Sequence, residues 1–309
     1  MPFLVTADQL ELQRGIRDLL TDAWPISGLV DAVAETAPAE AVWNALTQSG
    51  LFALRAELEA SWADISGVFE ELGRALAPGP LVATFLAATV TGDDSPTTAI
   101  SSARDPLFVT DLDFARRLLV VAGVRATIAG VDDVRATPVE DPVDPMTTVH
   151  QLHSLPNGSR LEVDGRDLMR QGMLLTGCLQ VGIAARLTDL AVDYAKTREQ
   201  FGRPIGGFQA IKHLCADAFA RTELARVATQ AAAVTLDDPG VGDVDKAIAG
   251  AKLLADEAAT VNARTCVQVH GGMGFTWEVP VHLFLKRSWR HATEWATVDQ
   301  AAELVAQAL

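Results

Sequence analysis

From Gly165 onward, the apolar residues of this chain recur almost entirely at helical spacing. Ile183, Leu187, Leu190 and Tyr194 stand at i, i+4, i+7 and i+11, and Leu254, Ala258, Val261 and Thr265 repeat the pattern. A stripe of that kind must be buried against others like it. The breaks between stripes are short: Gly206-Gly207 precedes one helix, and Asp237-Asp-Pro-Gly-Val-Gly242 separates two more. The pattern predicts a four-helix up-down bundle, with helices of about 20–30 residues, over positions 166–309.

The N-terminal third, 1–96, also reads as helical. Thr6 is a cap with Gln9 three residues on, opening a segment that carries Leu10, Leu12, Ile16, Leu19 and Leu20. A second helix is expected over Ala39–Ser49, stopping at Gly50. A third is expected from Trp62 to Leu76, stopped by Ala77-Pro-Gly-Pro80. Residues 97–165 change character. Leu107–Val109, Leu118–Val121 and Ala126–Ala129 are short apolar runs between turn residues, Val139–Pro145 reads as a loop, and Asn157-Gly158 is a hairpin signal. The fold class is therefore mainly α with a small β unit: an N-terminal helical domain (1–96), a reduced β domain (97–165) and a C-terminal four-helix bundle (166–309).

The formal charge of −15 opposes binding to nucleic acid and to anionic membranes. The longest nearly uninterrupted apolar run, Leu81–Val90, is too short to span a bilayer, and no signal peptide is visible at the N-terminus. Cys178, Cys215 and Cys266 show no paired spacing and sit in apolar helical segments, which predicts reduced core thiols and a cytoplasmic protein. Six scattered histidines give no metal-ligand spacing. No Gly-x-Ser-x-Gly elbow, His-Glu-x-x-His pair, phosphate-binding Walker loop or Gly-x-Gly-x-x-Gly turn occurs.

Two segments remain. Tyr194-Ala-Lys-Thr-Arg-Glu-Gln-Phe-Gly-Arg-Pro-Ile-Gly-Gly-Phe-Gln209 ends a helix in a loop that mixes basic side chains, glycines and phenylalanines. A guanidinium beside glycines suits a pyrophosphate, or simply caps the helix. Gln268-Val-His-Gly-Gly-Met-Gly-Phe-Thr-Trp-Glu278 follows, with Gln268 70 residues after Arg198; its glycines suit a helix C-cap or close backbone approach to a ligand. Together, in this order on a helical bundle, the two segments resemble the acyl-CoA dehydrogenase family. Glu71-Leu-Gly-Arg-Ala-Leu-Ala-Pro-Gly-Pro-Leu81 is similar to the end of that family's N-terminal domain in its shorter actinobacterial members.

The resemblance implies FAD held across a subunit interface, with the ring in one subunit's β domain and the ADP portion on its neighbour's C-terminal domain. Arg198, Gln200 and Phe201, with Gln268, Val269, Gly271 and Gly272, match the ADP-side positions, and Ile205 and Phe208 match further ones. The family's Thr-Glu-Pro-x-x-Gly-Ser and Trp-Ile-Thr-Asn-like stretches have no sequence match between Thr97 and Gly165. The family's catalytic glutamate, followed by Gly-Thr, falls in register on Trp295, beside Glu294; on the plainer reading Glu294 is an exposed helix residue. His291 is a further base in principle. The resemblance thus implies a subunit of a heteromeric (α2β2) acyl-CoA dehydrogenase acting on a bulky, steroid-derived acyl-CoA. A larger partner would carry the flavin-ring site and the base. The alternatives are a scaffold subunit that does not touch FAD, and a self-sufficient homo-oligomer using Glu294.

Overall fold

The computed structural model describes residues 4–33, 37–101 and 107–307. Helix α1 (Ala7–Ala23) begins where expected: Thr6 Oγ1 accepts from the Gln9 amide, and the Gln9 side chain accepts from the Thr6 amide. Helix α2 (Ala37–Gln48) ends before Gly50, which adopts φ +78°. Helix α3 (Trp62–Arg74) is capped twice. Ser61 supplies a local box, and the Asp237 carboxylate, from the bundle, accepts from the Trp62 and Ala63 amides at 2.9 and 3.0 Å. An anion at that end opposes the helix dipole and ties the two domains together. Helix α4 (Leu81–Thr91) is buried along most of its length, as a helix apolar on every side must be.

The β unit comprises β1 (Thr97–Ile100), β2 (Leu107–Thr110), β3 (Arg117–Ala122), β4 (Arg125–Gly130), β5 (Ala136–Pro138), β6 (Val149–Leu152) and β7 (Ser159–Arg160). They form two sheets, ordered β1-β3-β4-β7 and β2-β6-β5, antiparallel except for the β1–β3 pair. Ile100, Val109, Leu118, Val120 and Leu152 fill a small core of their own. The apolar runs identify β2, β3 and β4; the other strands are too short to show a period. Asn157-Gly158 does not close a hairpin, because β6 and β7 on either side belong to different sheets. Gly158 instead passes against β4, where an added Cβ would lie 2.8 Å from the Ile128 carbonyl oxygen.

The bundle is built from α5 (Gly165–Thr197), α6 (Gln209–Asp237) and α7 (Val244–His270), with a two-stranded ribbon of β8 (Glu199–Gln200) and β9 (Arg203–Pro204) between α5 and α6. The expected fourth long helix is two short ones, α8 (Val281–His291) and α9 (Val298–Gln307). The break falls at Glu294–Ala296, where Trp295 turns to φ +63° and its ring is buried. An added Cβ on Gly172 of α5 would meet that ring at 2.1 Å, so the glycine is the seat of the tryptophan. α5 is long and apolar enough to cross a membrane, but its most apolar stretch is mostly buried inside the protein. Cys178 and Cys266 are buried and Cys215 is half-buried, all three as free thiols.

Helices α3 and α5 cross at backbone contact. An added Cβ on Gly73 would lie 2.0 Å from the Leu179 carbonyl oxygen, and one on Gly182 would lie 2.0 Å from that of Glu70. A second junction is ionic. Arg287 of α8, 2% exposed, donates to the Asp144 carboxylate of the β unit and to the Ala77 carbonyl of the N-terminal domain, the latter at 3.2 Å. Removing one partner of a buried pair strands the other charge. Arg287→Ala is therefore expected to lower stability by about 3–5 kcal/mol in urea unfolding. The double change Arg287→Met with Asp144→Leu is expected to cost much less; equal losses would show that the charges themselves do not set the cost.

Candidate functional site

Helices α5 and α7 run parallel to each other, with α6 returning between them, so their C-terminal ends lie at the same end of the bundle. Tyr194, one turn before Arg198, stacks on His270 with ring centroids 4.1 Å apart and planes 21° from parallel. His270 is held by its Nδ1, 2.8 Å from the Cys266 carbonyl; burial pushes its pKa below the ordinary value, which favours the neutral ring. This stack sets the two sequence segments side by side. Arg198, Gln200, Phe201, Gln268, Gly271 and Gly272 all lie exposed on that surface. No side-chain hydrogen bond or ion pair engages Arg198 among the described residues. Phe201 is 90% exposed and adopts φ +52°, an unfavourable conformation for a residue with a Cβ. Its ring meets Phe208 edge-on at 6.0 Å, and the Arg203 guanidinium lies 4.1 Å from the Phe208 centroid. Ile205 packs partly into the core.

Val269 stands apart from the other expected site residues. It is 4% exposed and belongs to the main core, so its side chain packs the bundle and only its backbone adjoins the surface. Gly271 adopts φ +59°, and neither it nor Gly272 has an atom within 4 Å of an added Cβ. Both therefore present open backbone. An unpaired guanidinium, two glycines that leave room for close approach and two apolar rings suit an anionic diphosphate joined to a flat aromatic group.

The second feature is a cavity of about 200 Å³ between the N-terminal domain, the β unit and α8. Phe108 and Thr110 of β2, Thr98 of β1, Arg287, Arg290 and Glu294 line it. Its floor is a cluster of buried charge. Glu294 lies in the turn after α8 and is mostly buried, which corrects the expectation of an exposed helix residue. The reason is local pairing: one carboxylate oxygen is 2.8 Å from Arg290 Nε and the other 2.6 Å from His291 Nδ1. Burial acts to raise the Glu294 pKa, but the charges of Arg290 and His291, the His291 hydrogen bond and Arg287 hold it well below the usual carboxylate range. Burial pushes His291 down to about 4 and Asp111 up to about 6. A general base works best near the operating pH and free to accept. Glu294 and His291 meet neither condition.

Several members of this cluster have no sequence signature. Arg287 and Arg290 stand three apart in α8 among other polar residues, Lys286, Ser288 and His291, so nothing in the sequence singles them out. Asp111 and Asp144 reach them from loops of the β unit, 3.6 Å from Arg290 in the case of Asp111, and no local pattern links them.

Comparison with known proteins agrees with this architecture. Residues 167–295 match the family described as acyl-CoA dehydrogenase, C-terminal domain. Acyl-CoA dehydrogenase IpdE2 of Mycolicibacterium smegmatis is 32% identical over 236 residues, covering 73% of this chain and 72% of that relative. The chain belongs to the acyl-CoA dehydrogenase family. Acyl-CoA dehydrogenase FadE34 of Mycobacterium tuberculosis is 33% identical over 254 residues, 73% of this chain but 35% of the relative's own length. Among solved structures, the ChsE4–ChsE5 complex from Mycobacterium tuberculosis superposes with a TM-score of 0.82 at 19% identity, covering 99% of this chain and 98% of that one. Butyryl-CoA dehydrogenase from Megasphaera elsdenii gives 0.82 at 16% identity, covering 100% and 99%. The acyl-CoA dehydrogenase fold therefore runs through the whole chain, small β unit included.

The buried cluster makes stability depend on pH. The folded value of His291, about 4, lies below its ordinary 6.5, so the unfolded chain alone takes up the proton between them and stability falls on acidification. Glu294 adds to the loss as pH falls below its ordinary 4.5. Asp111, raised from 3.8 to about 6, acts in the opposite direction between those values. Replacing His291 with Leu is expected to flatten the decline between pH 6.5 and 4, removing up to a few kcal/mol of pH dependence. Urea unfolding across that range checks it; an unchanged slope would show that His291 titrates normally.

Proposed function

We propose that this chain is a subunit of a heteromeric, FAD-dependent acyl-CoA dehydrogenase, supplying the ADP-side grip on the cofactor. The observation that carries the reading is the Tyr194–His270 stack, which sets Arg198, Gln200, Phe201, Gln268, Gly271 and Gly272 on one exposed face. Arg198 would pair with the pyrophosphate. The open backbone at Gly271 and Gly272, with the Gln268 side chain, would meet the adenosine end, and Phe201 would cover an apolar surface of the cofactor. Bound FAD would accept the hydride removed from the β-carbon of an acyl-CoA. A base on the larger partner would take the α-proton.

The division of labour is supported by the cavity beside Glu294. At about 200 Å³ it is smaller than the roughly 300–1,000 Å³ of ordinary ligand pockets. Trp295 is packed into Gly172 beside it, and Glu294 is held by Arg290 and His291. These features weigh against a homo-oligomer using Glu294. A partner subunit is supported by two solved neighbours, the ChsE4–ChsE5 complex and Tcur3481–Tcur3483, the latter a steroid acyl-CoA dehydrogenase. A bulky, steroid-derived acyl-CoA is the substrate class we propose on that basis.

The chain expressed alone is expected to purify without flavin absorbance and to gain bound FAD when co-expressed with a larger homologous subunit. Stoichiometric FAD on the isolated chain would overturn the composite site. In the complex, Arg198→Ala is expected to weaken FAD retention by about 1.5–3 kcal/mol, the scale of a hydrogen bond to a charged group. Unchanged retention would favour a scaffold role. Glu294→Gln is expected to leave turnover largely intact, and near-total loss would place the base on this chain.

A further inference from the structure

A cavity of about 610 Å³ opens between α1, α3, α5 and α6, and four arginines line it: Arg17, Arg74, Arg186 and Arg226. Three of them are matched. Arg17 donates to both oxygens of Glu71 at 2.6 and 2.9 Å, Arg226 holds Glu70 from 2.8 Å, and Arg74 pairs with Asp189. Arg186 is the exception, with no carboxylate in ion-pair reach among the described residues. Its Nε donates to the Arg74 carbonyl at 3.1 Å, in the last turn of α3, which restrains the guanidinium. Both Nη groups are left without a hydrogen-bond partner among the described residues, and neither is closed off from solvent. Burial and the neighbouring Arg74 guanidinium push the Arg186 pKa below its ordinary value. Arginine stays charged in proteins, so the chain holds two like charges close enough to repel, and only Arg74 has an acidic partner.

Charge and shape together select the occupant. Arg226 also pairs with Glu223 at the exposed rim, so the cluster as a whole has no net positive charge. Glu70 and Glu71 therefore repel a multiply charged anion, as does the formal charge of −15. A single carboxylate is the better match, because its two oxygens meet the paired Nη donors of one guanidinium in a plane. The volume lies within the range of small-molecule sites and leaves room for a body behind the carboxylate. A smaller cavity of about 250 Å³ shares Arg17, Arg74 and Arg186 and continues past Pro25 and Ile26, which supply an apolar wall. We infer that this cavity binds a small organic monocarboxylate, whose oxygens accept from Nη1 and Nη2 of Arg186 while its apolar body extends towards Pro25 and Ile26. The site shares no residue with the proposed FAD platform and does not rest on that reading.

Isothermal titration of the full chain with 4-phenylbutyrate, 4-phenylbutyramide and inorganic phosphate tests this, because the acid and the amide share a body and differ in charge. Saturable binding of the carboxylate is expected, about tenfold or more tighter than the amide, the scale of hydrogen bonds to a charged group. Phosphate is expected to bind more weakly than the carboxylate. Arg186→Gln removes the charge but keeps a donor for the Arg74 carbonyl, and is expected to bring the carboxylate down to the affinity of the amide. Absence of carboxylate binding to the unaltered chain would overturn the inference and leave Arg186 as a cap on α3 alone. Equal affinities for acid and amide, tighter binding of phosphate, or an acid preference that survives Arg186→Gln would overturn it too. The three probes on the unaltered chain decide the matter even where the variant fails to fold.

Discussion

One guanidinium, that of Arg287, holds the three parts of this protein in register. It leaves α8 of the bundle, donates to Asp144 of the β unit and reaches the Ala77 carbonyl where the N-terminal domain ends. Apolar contact is non-directional and tolerates sliding, whereas a buried charge accepts only a position that supplies its partners. Around this point the structure adds further discriminating contacts. The Asp237 carboxylate caps α3 from the opposite domain, and Gly73 and Gly182 let α3 and α5 meet at backbone distance. Lys252, buried in α7, pairs with Asp256 at 2.5 Å and also donates to the His291 carbonyl, fixing the end of α8.

The same network decides what chemistry the chain can offer. With the end of α8 held, the following turn swings Glu294 back onto Arg290 and His291 and seats Trp295 against Gly172. The carboxylate best placed in sequence to act as a base thus becomes part of a structural ion cluster. At the far end of α5 and α7 the opposite holds: Arg198 is unpaired among the described residues, Phe201 stands in solvent and two glycines leave backbone open.

Much of this was legible in the residues. Thr6 with Gln9, Gly50, and the glycines before α6 marked helix boundaries correctly, because caps and stops depend on one turn of chain. The motifs that begin at Arg198 and Gln268 were legible for the same reason. The β unit was harder: strands of two to four residues carry no period, and Gly158 is needed for an approach to Ile128 and not for a turn. The inward side chain of Val269 was not legible, because a motif read as a string does not say which side chains face inward on α7.

The sequence by itself determined the order of domains, the helical period of the bundle and the identity of the two loops at its end, all properties of neighbours along the chain. Only the tertiary structure decided that Tyr194 and His270 would stack and so join those loops, and that Glu294 would be buried in a charge cluster. It alone brought Asp111 and Asp144 from the β unit to Arg290 and Arg287. The physical reason is one of range. Backbone periodicity and capping act over a few residues, whereas the ionisation and exposure of a side chain depend on partners that arrive only when distant segments pack.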